Sequence, residues 1–253
     1  MRHDSAAAQA EQVSWRLPAG AAGMFVSIPT HARPGFRWAT PLLCALLWLA
    51  YLWASMRPDS MQHDLLLEWG ALSGGLAPTD LLRSWSEAER WLRLLSALFL
   101  HADWAHLLGN LVFLLIFGLP AERAMGPWRF LGLFLLGGAF ANFVAALAIG
   151  APDRLIIGAS GAVSALIGAY LALFPRARLG VVLPLGLFLE FVRAPASLLI
   201  GIWALLQVVF AYIGPAFGMV AWAAHVGGFL FGAVFALASR GAIARRLRRR
   251  QGY

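Results

Sequence analysis

Lysine is absent from this 253-residue chain, cysteine occurs once, and charged residues make up only 13% of it. The lone Cys44 excludes an internal disulfide framework. So small a charged fraction, beside 60% hydrophobic residues, lies far outside the usual globular mix. Residues 1–37 hold no short apolar core followed by a small-residue cleavage site, so no secretory leader is read there. Nor does any soluble domain, internal repeat or low-complexity segment stand out.

What the chain does have is long uninterrupted apolar blocks, which makes lipid the solvent for most of it. Candidate spanning helices fall at about 39–55, 104–120, 128–149, 158–174, 195–213 and 221–239. The expected fold is therefore all-α, a polytopic bundle of six transmembrane helices. The partition is a cytoplasmic tail at 1–38, a membrane domain at 39–239 and a basic cytoplasmic tail at 240–253. A seventh span at 179–193 is rejected, because the stretch is short and Pro184, Glu190 and Pro195 punctuate it. It is expected to be re-entrant or interfacial.

Arginine placement orients the bundle. With six spans, Arg57, Arg83, Arg90, Arg93 and Arg154 fall on one side and the remainder of the 20 basic residues on the other. The positive-inside rule then puts both termini in the cytoplasm. Six arginines lie between Arg240 and Arg250, and a basic run beside a membrane helix suits an anionic inner leaflet better than nucleic acid. The lipid bilayer is thus an expected partner and nucleic acid is not. Arginine-only basic usage with abundant alanine and glycine suggests a bacterial inner membrane as the location.

The longest non-membrane segment, 56–103, faces outward. It carries seven acidic residues, and Trp69, Trp85, Trp91 and Trp104 lie in it or at its edge. A solvated loop gains little from so many tryptophans, so a half-submerged element in the headgroup layer is expected.

Three helices deliver polar groups to one depth. Ser160 stands 16 residues before Arg176, and His225 stands 15 before Arg240. At about 1.5 Å per residue both sit roughly 22–24 Å above the inner boundary, hence about 6–8 Å beneath the outer surface of a ~30 Å hydrocarbon layer. His106 and Asn110 bracket the same level on one face of their helix. Small residues at four-residue spacing would let the last of these helices meet: Gly161, Ala165 and Ala169 in one, Ala224, Gly228, Gly232 and Ala236 in the other. Glycine stripes alone are common packing devices, but an intramembrane histidine is costly and usually functional.

The chemistry such residues permit is nucleophilic. Neutral serine needs a base within hydrogen-bond reach, and histidine has the right proton affinity near neutrality. No Asp or Glu falls in the spans of Ser160 or His225, so the expected unit is a Ser–His dyad with packing holding the imidazole. Asp153 and Glu190 lie at membrane edges and make poor third members. Backbone N–H groups at the start of the serine helix, with His106 and Asn110, could stabilise an oxyanion. Gly158 and Gly161 leave room for a substrate backbone. A metal site at His101, Asp103 and His106 is the rival, weakened by a histidine spacing that does not share one helical face. No cofactor is called for. A catalytically silent scaffold for client helices and a small transporter are the other classes considered; the latter lacks an inverted repeat and a midplane site.

With His106-Leu-Leu-Gly-Asn110, Gly158-Ala-Ser160-Gly161 and Ala224-His225-Val-Gly-Gly228 followed by Gly232, the stretch from about 90 to 240 resembles the rhomboid intramembrane serine proteases. Arg93, Glu122 and Gly126 also look like that family's pattern. The resemblance implies Ser160 as nucleophile, His225 as general base, and His106 and Asn110 as oxyanion helpers. It implies transmembrane protein substrates cleaved in or near the membrane, with the fifth span and the cap at 214–219 as a lateral gate. Two departures are Ser164, where some members carry an aromatic stacked on the histidine, and Leu92, where a tryptophan often precedes the loop arginine.

Overall fold

The computed structural model describes residues 37–73, 88–149, 154–185, 188–213 and 222–251. Helix α1 (Ala39–Ser55) leads to the outer-loop elements α2 (Asp59–Trp69), β1 (Ala71–Leu72) and α3 (Ala88–Ser96). A 3-10 turn at Ala97–Phe99 precedes α4 (Trp104–Met125), and α5 (Pro127–Ala148) follows. Then come β2 (Leu155–Ile156), α6 (Ser160–Leu173), the hairpin β3 (Arg178–Leu185) and β4 (Phe188–Pro195), α7 (Ala196–Ile213) and α8 (Trp222–Gln251). By length and composition α4, α5 and α8 can each cross a membrane, and α1, α6 and α7 are shorter apolar helices. These six apolar helices form the helical bundle of an integral membrane protein.

Two helix ends differ from expectation. Helix α4 runs on to Met125 through one π-type stretch, Leu114–Gly118. Pro120 lacks an N–H and its ring would press on the carbonyl four residues earlier, so the helix widens there instead of breaking. The basic segment expected as a separate tail is, up to Gln251, a continuation of α8. Arg246 folds back over Gly126, whose φ of 85° lets the chain turn sharply from α4 into α5. A Cβ at Gly126 would lie 2.6 Å from the guanidinium carbon.

The 179–193 stretch is an antiparallel hairpin, with Val181 opposite Val192 and Leu183 opposite Glu190. Prolines and β-branched residues defeat a helix there, and pairing the two strands satisfies backbone groups that a re-entrant coil would leave open. Of the tryptophans expected in the headgroup layer, Trp69, Trp91 and Trp104 are 50%, 45% and 63% exposed. Trp85 lies outside the described residues. Trp91 stacks on Phe143 of α5 at 6.1 Å, and Asn142 donates to the Leu94 carbonyl at 2.9 Å, which seats the outer loop on α5.

Helix α6 is the centre of the bundle, and every residue from Gly161 to Tyr170 is buried. At 14 residues it is about 21 Å long, so it cannot by itself fill a ~30 Å hydrocarbon layer. Backbone touches backbone along its contact with α8. A Cβ added at Gly228 would fall on the carbonyl oxygen of Gly161, one at Gly232 on that of Ala165, and one at Gly168 on that of Phe229. On the α5 side, Cβ atoms at Gly137 and Gly161 would each lie 2.6 Å from an alanine Cβ, those of Ala165 and Ala141.

At the other end, the carboxylate of Glu122, 2% exposed, closes the start of α1. Its Oε1 accepts from the backbone N–H of Trp38 and Ala39 at 3.0 Å, and its Oε2 accepts from the Thr40 N–H at 2.9 Å and hydroxyl at 2.7 Å. These are the donors that a helix start leaves unpaired, and the helix dipole favours an anion there. Glu122→Ala should strand all four donors and lower stability by about 3 kcal/mol. Reversible unfolding of the purified protein in mixed micelles checks this; a loss under about 0.5 kcal/mol would show the cap to be dispensable.

Candidate active site

The outer loop and the start of α6 are tied together by strand pairing and backbone hydrogen bonds. Strands β1 and β2 pair Ala71 with Ile156 and Leu72 with Leu155. The Gly158 N–H donates to the Ala97 carbonyl at 2.8 Å, and the Ala159 N–H donates to His101 Nε2 at 3.4 Å. Burial, and then the neighbouring His106, push His101 down to about 4, so its ring is neutral at ordinary pH and free to accept. Of the rival metal group, His101 is thus engaged with the backbone before Ser160. Asp103 accepts from the His106 N–H at 2.8 Å as the N-cap of α4.

Gly158 has φ of 109°, a conformation that L side chains rarely adopt. A Cβ there would also lie 2.7 Å from Cε1 of His106, whose ring covers the glycine and meets His101 edge-on at 5.1 Å. The turn delivers Ser160 as the first residue of α6. The N–H groups of a first helical turn have no partner within the helix and point outward along its axis.

Ser160 Oγ lies 2.9 Å from His225 Nε2 on α8. The contact follows from the glycine interface: Gly228, one turn along from His225, rests on the Gly161 carbonyl. Asn110 is 6% exposed on α4, one turn from His106, and its amide nitrogen donates to the His106 carbonyl at 3.1 Å. That uses one of two amide hydrogens and leaves a second for another acceptor. Ser160, His225, His106, Gly158 and Gly161 are therefore gathered around the top of α6, with Asn110 a turn below His106. Glu190 lies in the hairpin beyond the other end of α6, and Asp153 and the cap at 214–219 fall outside the described residues.

The imidazole is gripped by more than packing. Nδ1 of His225 lies 2.7 Å from Oε1 of Gln207 on α7, and Trp222 meets the ring edge-on at 5.8 Å. Trp222 supplies an aromatic neighbour for the ring from α8 itself, while Ser164 bends back to donate to the Ser160 carbonyl at 2.7 Å. Looking for carboxylates in the fourth and sixth spans misses Gln207, which sits on the fifth. The signal was present: it is the sole Asn or Gln in the apolar run 196–213. A shallow groove of about 210 Å³ between α7 and α8 is lined by Trp203, Gln207, Val208, His225 and Phe229.

Gly158→Ala should both strain the turn and push the His106 ring away, lowering stability by about 1–3 kcal/mol while the helical spectrum stays unchanged. An unfolding midpoint in mixed micelles equal to that of the unaltered protein would show that the His106–Gly158 contact is unimportant.

The family model described as "Rhomboid domain" matches residues 88–241. The chain is 36% identical over 86 residues to "RHOMBOID-like protein 5" of Arabidopsis thaliana, covering 34% of this chain and 28% of that protein. It is 33% identical over 103 residues to "Rhomboid-related protein 2" of Mus musculus, covering 41% and 33% respectively. To "Rhomboid-related protein 1" of Caenorhabditis elegans it is 42% identical over 84 residues, covering 33% and 23%. The matched stretches thus span a third or less of each relative's own length.

Proposed function

The chain belongs to the rhomboid family, its domain extending over 88–241, and from that premise we propose that it is an intramembrane serine endopeptidase acting on transmembrane segments of other membrane proteins. The observation that carries this reading is the 2.9 Å approach of Ser160 Oγ to His225 Nε2 from two different apolar helices. Family membership alone supports a rhomboid-like membrane protein; activity is read from that contact.

The reaction follows acyl-transfer logic. The Ser160 oxygen attacks the scissile carbonyl carbon as its proton passes to His225 Nε2. The carbonyl oxygen becomes an oxyanion, met by N–H groups at the start of α6, by His106 and by the second amide hydrogen of Asn110. His225 then returns the proton to the departing amine, the C–N bond breaks, and an acyl-serine remains. Water repeats the sequence: it adds to the acyl carbon, gives its proton to His225, and the serine leaves with that proton. Water reaches this depth because α6 is too short to fill the layer above Ser160. The resemblance to the rhomboid proteases further implies small residues at the scissile position and helix-weakening residues near it.

The asymmetry of arginines supports both termini lying in the cytoplasm. Chloroplastic and mitochondrial proteins stand among the relatives, so the comparisons lend no weight to a bacterial inner membrane in particular.

A fluorophosphonate probe should label the purified protein at Ser160, and His225→Ala should reduce the labelling rate about 100-fold or more. Unchanged labelling without the histidine would sink the dyad. A silent scaffold for client helices would give no labelling at all, and Ser160→Ala would leave its client retention intact. Asn110→Ala should slow peptide cleavage about 10- to 100-fold in a folded protein; a misfolded product would instead assign Asn110 to packing.

A further inference from the structure

The histidine nitrogen that faces away from the serine decides what the other one can do. Neutral imidazole carries one ring proton, so a donor at Nδ1 leaves Nε2 with a lone pair, and the reverse removes it. Nδ1 of His225 lies 2.7 Å from Gln207 Oε1, and a carbonyl oxygen can only accept. With that oxygen facing Nδ1 the ring proton belongs there, which leaves Nε2 free to take the Ser160 proton across 2.9 Å. With the amide turned end for end, its NH2 would face Nδ1, the ring proton would move to Nε2, and Ser160 would have no base.

We propose that Gln207 is a positioning residue for the Ser160–His225 chemistry, a neutral third member lent by α7 that fixes the tautomer and plane of the imidazole. This rests on the reading of Ser160 and His225 as nucleophile and base. Gln207 is 7% exposed within an apolar helix. Burying an amide there costs on the order of 1–3 kcal/mol unless it is hydrogen-bonded, and His225 supplies the bond. The site also explains the choice of an amide over the carboxylate of a standard triad. Gln207 and His225 line the groove between α7 and α8, where the walls are otherwise apolar: Trp203, Val208 and Phe229. A carboxylate beside lipid would carry a large desolvation penalty, whereas an amide orients the ring without a charge. Tautomer control then depends on a helix that carries neither reacting group, so α7 must be seated against α8 for the base to form.

Three full-length proteins test this in detergent or lipid discs: unaltered, Gln207→Met (close in shape, with only a weakly accepting thioether) and Gln207→Glu. Two readouts are taken, the pH profile of fluorophosphonate labelling at Ser160 and the NMR shifts of the His225 ring nitrogens. The unaltered protein should show the proton on Nδ1. Gln207→Met should label about 10- to 100-fold more slowly and lose the preference for that tautomer. Gln207→Glu should recover most of the rate at high pH with its acid limb displaced upward by about one pH unit or more, since a carboxylate favours the imidazolium. A purely structural role would not move that limb. Labelling of Gln207→Met at the unaltered rate and pH profile, or a ring proton on Nε2 in the unaltered protein, overturns the positioning role alone. No labelling of the unaltered protein overturns the proposed function, and the positioning role with it.

Discussion

The absence of side chains between α6 and α8 governs everything around the site. Gly161, Ala165 and Gly168 on one helix meet Phe229, Gly228 and Gly232 on the other so closely that a single added methyl would strike a carbonyl oxygen. In lipid no hydrophobic force drives two helices together, so dispersion across a flat, knob-free seam has to do it. That seam sets the distance between Ser160 and His225. A wider one would leave the hydroxyl and imidazole out of reach, however well each was placed on its own helix.

The length of α6 and the way the chain enters it are the second constraint. Helix α6 has 14 residues, and the chain approaches it through a turn only glycine accommodates comfortably, at Gly158. The turn is fastened to the outer loop by the β1–β2 pairing, by the Ala97 carbonyl and by neutral His101. The outer loop is fastened in turn to α5 through Asn142 and Phe143. Polar backbone exposed at membrane depth is tolerated only where protein or water satisfies it, and these contacts supply partners for the backbone of the turn. Far from the serine, Glu122 gathers the start of α1, and Arg246 covers the tight turn at Gly126. The opposite end of the bundle is thereby pinned.

A further consequence concerns charge. The proposed reactive cluster contains no carboxylate, and the groove beside it is apolar. A dyad steered by an amide keeps its orientation without introducing an anion next to lipid. In the proposed reaction it gives up the electrostatic support that a carboxylate lends to imidazolium, so the weight of transition-state stabilisation falls on the proposed oxyanion donors, His106, Asn110 and the start of α6.

Six apolar blocks, their order and their approximate limits were legible from hydropathy and length alone, because lipid forces each span to satisfy its own backbone within about 20 residues. That Ser160 and His225 would stand level on their two helices was legible for the same reason, since helical rise converts residue count into ångströms, and the 2.9 Å contact brings them together. The small-residue stripes announced which helices would touch. The hairpin at 178–195 was not legible, because apolar runs broken by proline suit a strand, a coil or a short helix equally, and pairing across the turn decided it. The grip of Glu122 on α1 and of Gln207 on His225 joins residues 82 and 18 positions from their partners. Periodicity describes one helix at a time and carries no information about which faces meet. Only packing the helices against one another chose the acceptor for Nδ1.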